Sequence, residues 1–168
     1  MKIQSARLEM RSYRDEDFDF LYSLLADPEI VQFIGNGKTR NREEALQFMY
    51  WIYRCYRENP ELGLRVLIRK EDGATVGHAG LVPQKVEGKE ELEIGYWVAK
   101  DYWGQGYATE AAKALRYYGS QYLGRKRFVS LIQPGNGASR KVAERLGMQL
   151  EKKITMADKE VCLYSVVD

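Results

Sequence analysis

A glycine-rich passage near the middle of the chain is the first stretch whose residue types suggest chemistry. It reads Trp103-Gly104-Gln105-Gly106-Tyr107-Ala108 and follows an aromatic and branched run, residues 92–98, that is typical of a strand. A run with apolar residues at helical spacing, 108–122, comes next. A turn from strand to helix presents backbone N–H groups at the positive end of a helix dipole, where they bind a phosphate or pyrophosphate. Glycine keeps side chains out of the way. The passage therefore predicts a seat for an anionic cofactor.

The same glycines also fit a tight turn that binds nothing, because Gly-x-Gly ends many ordinary strands. A dinucleotide-binding fingerprint would need glycine or alanine three residues after Gly106, where Thr109 stands, and an acid at the end of the next strand. That strand, residues 127–133, ends without an acid. No Gly-Lys-Ser/Thr follows the turn, as a P-loop would require. NAD and ATP are therefore poor fits.

Composition limits the remaining classes. The 168 residues suffice for a single domain, residues 1–168, and the net charge of +2 is too mild for a nucleic-acid binder. The N-terminus has no apolar core of a signal peptide, and no apolar run is long enough to span a membrane. Cys55, Cys162 and the single His78 are too few for a disulfide framework or a metal cluster. We expect a soluble cytoplasmic protein without a metal site or a membrane or nucleic-acid partner.

The pattern of the whole chain predicts one α+β domain. Asp15 is expected to cap a first helix, and Thr39 or Asn41 to begin a long amphipathic helix that ends at Asn59-Pro60. A further helix is expected between the turn at 134–137 and Gly147. Alternation and turn residues predict strands at 3–12, 64–69, 74–82, 92–98, 128–133, 149–155 and 160–167, with a polar turn at 86–91.

Three features in order resemble the GNAT acyltransferases. They are the strand ending Ile94-Gly95-Tyr96-Trp97-Val98, the turn Gly104-Gln105-Gly106-Tyr107-Ala108, and Asn136-x-x-Ser139 opening a helix that closes with Leu146-Gly147-Met148. The phrase from Tyr102 to Ala111 is similar to the branch that contains the ribosomal-protein N-acetyltransferases. One departure is Trp103, which stands where the family usually has Gln or Arg. The resemblance covers essentially the whole chain.

The resemblance implies a mixed, mostly antiparallel sheet flanked by helices, with two splayed central strands that hold acetyl-CoA. The pyrophosphate is expected on the N–H groups of Gln105 to Thr109, and the backbone of Val98 is expected to pair with the pantetheine and polarise the thioester carbonyl. The cofactor-binding residues that follow from it are Val98, Gly104, Gln105, Gly106, Tyr107, Ala108, Thr109, Asn136 and Ser139.

Transfer to an amine requires a neutral nucleophile, so a base must remove a proton and an acid must serve the departing thiolate. Glu93 is the candidate base, directly or through a water, because the family often keeps an acid on this strand; it also fits an outward-facing strand residue. Ser139 resembles the branch's serine that bonds the CoA sulfur and is the candidate acid, although serine is also common in a first helical turn. Asn136 is expected to bond the pantetheine or to cap the helix, and Tyr164 is a second candidate acid.

The acceptor carries no motif. The resemblance implies direct attack by a primary amine in a ternary complex, either a protein N-terminus or a small molecule such as a polyamine, an amino acid or an antibiotic. Residues 34–38 and the first two helices are expected to form the acceptor wall. A non-catalytic acyl-CoA-binding module is the alternative from another class. The protein is expected to be a monomer or a homodimer.

Overall fold

A computed structural model describes residues 2–168 and places the strands in one eight-stranded sheet. Its helices are α1 Phe18–Leu25, α2 Pro28–Val31, α3 Arg42–Glu58, α4 Tyr107–Gln121 and α5 Gly137–Arg145. Its strands are β1 Ile3–Gln4, β2 Leu8–Ser12, β3 Gly63–Arg69, β4 Thr75–Val86, β5 Lys89–Val98, β6 Arg127–Ile132, β7 Gln149–Met156 and β8 Lys159–Val167. The sheet order is β1-β2-β3-β4-β5-β6-β8-β7, and the β5–β6 pair is parallel whereas the other pairs are antiparallel. This is the α+β, mostly antiparallel architecture that the resemblance implied.

One strand prediction and one turn prediction differ from the structure. The expected strand at 3–12 is a small hairpin, because Ser5 turns the chain: its N–H donates to the Leu8 carbonyl and its hydroxyl accepts from the Leu8 N–H. The expected polar turn at 86–91 is shorter, because Glu87 and Gly88 both adopt positive φ and make a two-residue hairpin. The polar residues after them belong to β5, which is therefore longer than its apolar pattern predicted.

The helix boundaries follow local hydrogen bonding. Asn41 caps α3 in a capping box, with its Oδ1 accepting from the Glu44 N–H at 2.8 Å and the Glu44 carboxylate accepting from the Asn41 N–H at 3.0 Å. Asp15 lies in a short 3₁₀ turn before α1 instead of capping that helix. Gly147 ends the last helix at φ 83°, as predicted for a glycine in the left-handed region.

The strands β5 and β6 separate at the centre of the sheet. Across residues 2–168 they are paired at one position, Glu93 with Val129, and next to it the Ser130 hydroxyl donates to the Ile94 carbonyl at 3.2 Å. Beyond this point β6 keeps its ladder with β8 on its other side. The sheet therefore opens between the C-terminal halves of β5 and β6.

The two faces of the sheet are covered by different helices. On one face α4 and α5 pack over Ile94, Tyr96 and Val98 of β5. On the other face α1 and α3 pack over Trp97, and a Cβ at Gly95 would point toward Leu64 and Val82 of the same layer. Because side chains alternate along a strand, Glu93 lies on this second face with Gly95 and Trp97.

Candidate active site

The glycine turn that was predicted to bind an anion leads into the N-terminus of α4. Gly104 and Gly106 have φ values of 78° and 81°, and Gly106 is the residue before the helix. The first bond into the helix runs from the Glu110 N–H to the Gly106 carbonyl at 3.0 Å, so the N–H groups of residues 107–109 point out of the helix end. A Cβ on Gly104 would meet nothing within 4 Å, so the space in front of the turn is open. A pyrophosphate fits this arrangement.

An ion pair that the sequence did not suggest holds the turn in place. Arg7, at the β1–β2 hairpin, donates from Nε to the Glu110 carboxylate at 2.7 Å and from Nη2 to the Gln105 carbonyl at 2.9 Å. Its guanidinium also lies 4.4 Å from the centre of the Tyr107 ring. Partial burial would raise the pKa of Glu110, but hydrogen bonds from Ser5 and from the Arg7 backbone and side chain outweigh that effect and lower it. No local pattern relates residues a hundred positions apart, so only the fold reveals this contact.

Trp103 has a role that the sequence reading left out. Its indole N–H donates to the Val98 carbonyl at 2.7 Å, which ties the end of β5 to the glycine turn. Ala99 donates its N–H to Val76 on β4 at 2.8 Å. Because backbone groups alternate along a strand, the Val98 N–H faces the opposite edge, toward the gap beside β6. Of the two backbone groups expected to serve the cofactor, the N–H faces the gap and the carbonyl is already bonded.

Asn136 and Ser139 lie together at the start of α5. The Asn136 Oδ1 accepts from the Ser139 N–H at 3.2 Å, so Asn136 caps the helix, which is one of its two expected roles. Its expected bond to the pantetheine remains a prediction.

The hydroxyl of Ser139 meets Tyr96, which the sequence reading did not single out. Ser139 Oγ donates to the Tyr96 hydroxyl at 3.2 Å, and that hydroxyl donates to the Ser139 carbonyl at 3.0 Å. Burial raises the pKa of Tyr96 to about 12. The hydrogen bond from Ser139 acts to lower this pKa, and the negative charge of Glu93 acts to raise it. The phenol therefore keeps its proton at neutral pH. Strand alternation was the available signal, because it places Tyr96 with Ile94 and Val98 on the face of the glycine turn.

Glu93 lies at the point where the gap begins, on the opposite face of β5 from Tyr96. Its carboxylate accepts from Gln84 Nε2 at 2.9 Å and from the Leu131 N–H at 3.3 Å. The surrounding protein removes water from the carboxylate and raises its pKa, although these two hydrogen bonds act in the other direction. A carboxylate of raised pKa is a better proton acceptor than an ordinary glutamate.

Tyr164, the second candidate acid, makes no side-chain hydrogen bond with Ser139 among the described residues 2–168. Tyr164 is buried and lines a cavity of about 310 Å³ with Cys162 and Arg140, between β6, α5 and the β7–β8 hairpin. Tyr96 is the tyrosine that bonds to Ser139, and the role of Tyr164 as an acid remains a prediction.

The loop that is expected to form part of the acceptor wall contacts the chain just after β6. Gln133, just after β6, donates to the Gly35 carbonyl at 2.9 Å, and a Cβ on Gly135 would lie 2.7 Å from the Phe33 ring. On the other side, Glu29 of α2 forms an ion pair with Lys100, just after β5. The segment from α2 to this loop thus contacts the chain beyond both splayed strands.

Within residues 2–168 no group of three or more His, Cys, Asp or Glu residues is arranged to hold a metal ion. No helix in the same described range is both long and apolar enough to cross a membrane.

The fold and the site define the class of protein. The chain belongs to the GNAT acetyltransferase family, whose domain description, Acetyltransferase (GNAT) domain, matches residues 7–149. The uncharacterized protein YkkB of Bacillus subtilis is 34% identical over 166 residues, covering 97% of this chain and 94% of its own. An acetyltransferase structure from Agrobacterium tumefaciens superposes with a TM-score of 0.85 at 24% identity, covering 100% of this chain and 95% of that one.

Structures of the ribosomal-protein branch are also among the neighbours. RimL, a ribosomal L7/L12 alpha-N-protein acetyltransferase solved in complex with coenzyme A, superposes with a TM-score of 0.81 at 19% identity, over 99% of this chain and 98% of that one. At this identity the likeness concerns the fold.

Proposed function

We propose that the protein transfers the acetyl group of acetyl-CoA to a primary amine by direct attack in a ternary complex. The observation that carries the proposal is the opening between β5 and β6, which has a glycine turn at a helix N-terminus on one face and a carboxylate of raised pKa on the other. A cofactor seat and a proton acceptor thus meet at one opening in the sheet.

The chain's own groups fit a coenzyme A thioester. The N–H groups at residues 107–109 would bind its diphosphate, and the Val98 N–H faces the gap in which the pantetheine would lie. Acetyl-CoA supplies the activated acetyl group, and its thiol, with a pKa near that of cysteine at about 8.5, is a fair leaving group. Gly104 leaves the approach to the seat open.

Glu93 would accept a proton from the amine. A free alkylamine with a pKa of about 10.4 is mostly protonated at neutral pH, so a proton must leave the nitrogen before or during attack, and a carboxylate of raised pKa is a better acceptor for it. Gln84 and the Leu131 N–H hold the carboxylate at the vertex of the gap, which fixes the direction from which an amine is deprotonated.

Tyr96 and Ser139 would supply the proton at the other side. The phenol stays protonated because its pKa is about 12. It is hydrogen-bonded to the Ser139 hydroxyl, so a proton can pass between the two groups on the cofactor face. Base and acid lie on opposite faces of β5, which suits an amine entering from the α3 side and a thiolate leaving on the α5 side.

Two acceptor classes fit this chemistry. A protein N-terminus is one, supported by the shared fold with RimL. A small-molecule amine is the other, and the loop that contacts the chain beyond both splayed strands favours slender acceptors over a folded protein surface.

A thiol-release assay tests the proposal. The protein is incubated with acetyl-CoA and a panel of peptides and small amines, and the acceptor products are read by mass as a gain of one acetyl group. Transfer to at least one amine, lost in Glu93→Gln, is the expected result. Coenzyme A binding by calorimetry without transfer to any acceptor would instead indicate the non-catalytic module.

A further inference from the structure

An ion pair at the closed end of the gap joins the two splayed strands. In the parallel β5–β6 register Glu93 is paired with Val129. Glu91 and Arg127 come two residues earlier on their strands, so they lie side by side on the same face, away from the opening. Arg127 donates from Nε and Nη2 to the two carboxylate oxygens of Glu91 at 2.9 and 2.8 Å. A two-point contact of this kind fixes direction as well as distance.

The same guanidinium has a second carboxylate partner on another strand. Arg127 donates from Nη1 to Glu151 of β7 at 2.9 Å, and Glu151 also accepts from the Ser165 hydroxyl of β8 at 2.9 Å. The two carboxylates differ in exposure, with 7% of the Glu91 side chain exposed against 36% of the Glu151 side chain. Water screens the pair with Glu151 more, so the contact to β5 is the stronger of the two. The hydrogen bonds from Arg127 lower the pKa of Glu91 against the effect of burial, which keeps Glu91 ionised at neutral pH.

Few backbone bonds fix β6 against β5. Within residues 2–168 the two strands share a single paired position, whereas β6 forms a six-position ladder with β8. A parallel pair with one paired position has no ladder to set the angle between its strands. Side-chain bonds at the vertex of the gap therefore determine where the strands separate, and the Arg127–Glu91 pair is the charged one among them.

The position of β6 affects the candidate base directly. Leu131, four residues after Arg127 on the same strand, donates its N–H to the Glu93 carboxylate at 3.3 Å. A displacement of β6 by about 1 Å would take this contact beyond hydrogen-bonding distance and free the carboxylate to turn. The bond from Leu131 lowers the pKa of Glu93 against the effect of burial, so its loss would raise that pKa further.

Resting on the proposed acetyl transfer, we propose that Glu91 and Arg127 are positioning residues whose ion pair sets the angle between β5 and β6. The pair thereby holds Glu93 in its orientation and sets the width of the gap in which the pantetheine would lie. Glu151 connects the same guanidinium to β7 and does not act on the gap.

Glu91→Met and Glu151→Met form a matched pair of variants. Each removes one carboxylate from Arg127 and leaves the other, so the change in charge is the same and only the strand that is released differs. A misplacement of reacting groups by about 1 Å can cost as much as about 100-fold in rate. We expect kcat/KM for amine acetylation to fall about tenfold in Glu91→Met and to change less than about twofold in Glu151→Met.

The pH–rate profile separates positioning from a simple effect of charge. Removal of the negative charge of Glu91 favours ionisation of Glu93 and would move the acidic limb of the profile to lower pH. Loss of the Leu131 bond acts in the opposite direction. Glu91→Met should therefore move the acidic limb to higher pH, and Glu151→Met should not. An acidic limb that stays in place or moves to lower pH in Glu91→Met contradicts the positioning role.

Ligand binding tests the ion pair without turnover. ADP carries a diphosphate for the seat at α4, and coenzyme A adds the pantetheine that would lie in the gap. Calorimetry should show an affinity for coenzyme A about tenfold weaker in Glu91→Met than in Glu151→Met, with the same affinity for ADP in both.

The outcomes distinguish this inference from the proposed function. Equal kcat/KM in the two variants overturns the positioning role and leaves acetyl transfer standing. If no amine is acetylated by the wild type, the affinities for coenzyme A decide: a loss confined to Glu91→Met supports the inference, and equal affinities or no binding contradict it. If Glu91→Met fails to fold by circular dichroism, Glu91→Gln keeps the shape of the side chain and replaces it in each comparison.

Discussion

At the scale of single residues, the environment of Glu93 determines what it does. A carboxylate that keeps water around it titrates near pH 4.3 and is a weak base. Glu93 instead sits among protein atoms at the vertex of the gap, with two hydrogen-bond donors that hold its orientation but do not cancel the rise in its pKa. Burial thus makes the carboxylate a stronger base, and the two hydrogen bonds hold it in one orientation.

Glu93→Gln should lower kcat/KM by about 100-fold, because a positioned base typically contributes a factor of this size. The wild-type rate should fall on the acidic side through a pKa above the usual glutamate range, since the folded value is raised and the ionised form is the active one. The variant should lack this limb, and its rate should keep rising toward the pKa of the amine. Superposable pH–rate profiles for the two proteins would dismiss Glu93 as the base.

Tyr96→Phe and Ser139→Ala test the acid. Each removes one hydroxyl of the bonded pair, so we expect each to lower kcat about tenfold or more while the affinity for coenzyme A changes little. Because the two hydroxyls act as one unit, the double variant should cost much less than the product of the single effects. Tyr164→Phe is the matched control. A loss with Tyr164→Phe equal to that of Tyr96→Phe would return the role to Tyr164.

At the scale of elements, contacts within the protein already hold the proposed cofactor seat in shape. The glycines give the turn its left-handed conformations, and Arg7 connects the Gln105 carbonyl to Glu110 in the first turn of α4. A preformed array of N–H groups loses little entropy on binding, which is the general advantage of preorganisation. The β1–β2 hairpin therefore supports the seat although it lies far away in sequence.

Gly106→Glu should abolish coenzyme A binding, because a carboxylate at the N-terminus of α4 would occupy and repel the anion site. The substitution also forces a side chain into the left-handed region, at a cost in stability of about 1 kcal/mol. Gly124→Glu is a matched control, since Gly124 has φ 67° with open space just beyond the other end of the same helix. Calorimetry should show binding lost in the first variant and retained in the second. Unchanged affinity in Gly106→Glu would refute the seat.

The sequence predicted the elements better than the contacts between them. The glycine turn, the Asn136 cap and the end of α5 at Gly147 are signalled by residues within a few positions, and the structure has them. The bonds from Arg7 to Glu110 and from Tyr96 to Ser139 join distant segments, and no local pattern encodes them.

At the scale of the whole molecule, the two layers of helices on either side of the splayed strands carry different groups. The α4–α5 layer carries the helix N-terminus and the Tyr96–Ser139 pair, and the α1–α3 layer carries the aromatic residues that pack around Trp97. One strand, β5, contributes to both layers because its side chains alternate, so its sequence specifies both the proposed cofactor face and the proposed acceptor face.

The buried His78 should make the stability of the whole domain depend on pH in a range where most groups do not titrate. Its pKa is about 3 in the folded protein against about 6.5 when unfolded, so the unfolded state binds a proton first as the pH falls, and stability is lost from pH 6.5 downward. Between pH 7.5 and 5 the loss should be about 2 kcal/mol. Glu93 acts in the opposite sense near pH 4.5 and above, because its folded pKa is raised. Asp17, whose pKa is lowered by hydrogen bonds from Arg11 and Arg14 that outweigh the effect of burial, acts below pH 3.8.

Urea unfolding of the wild type and of His78→Asn at pH 7.5 and at pH 5 isolates the contribution of the histidine to the free energy of unfolding. Glu93 and Asp17 contribute equally to both proteins. The wild type should lose about 2 kcal/mol more than the variant between the two pH values. Identical pH dependence in the two proteins would show that the ring takes up a proton while folded, which the packing of Phe48 and Trp97 around it argues against.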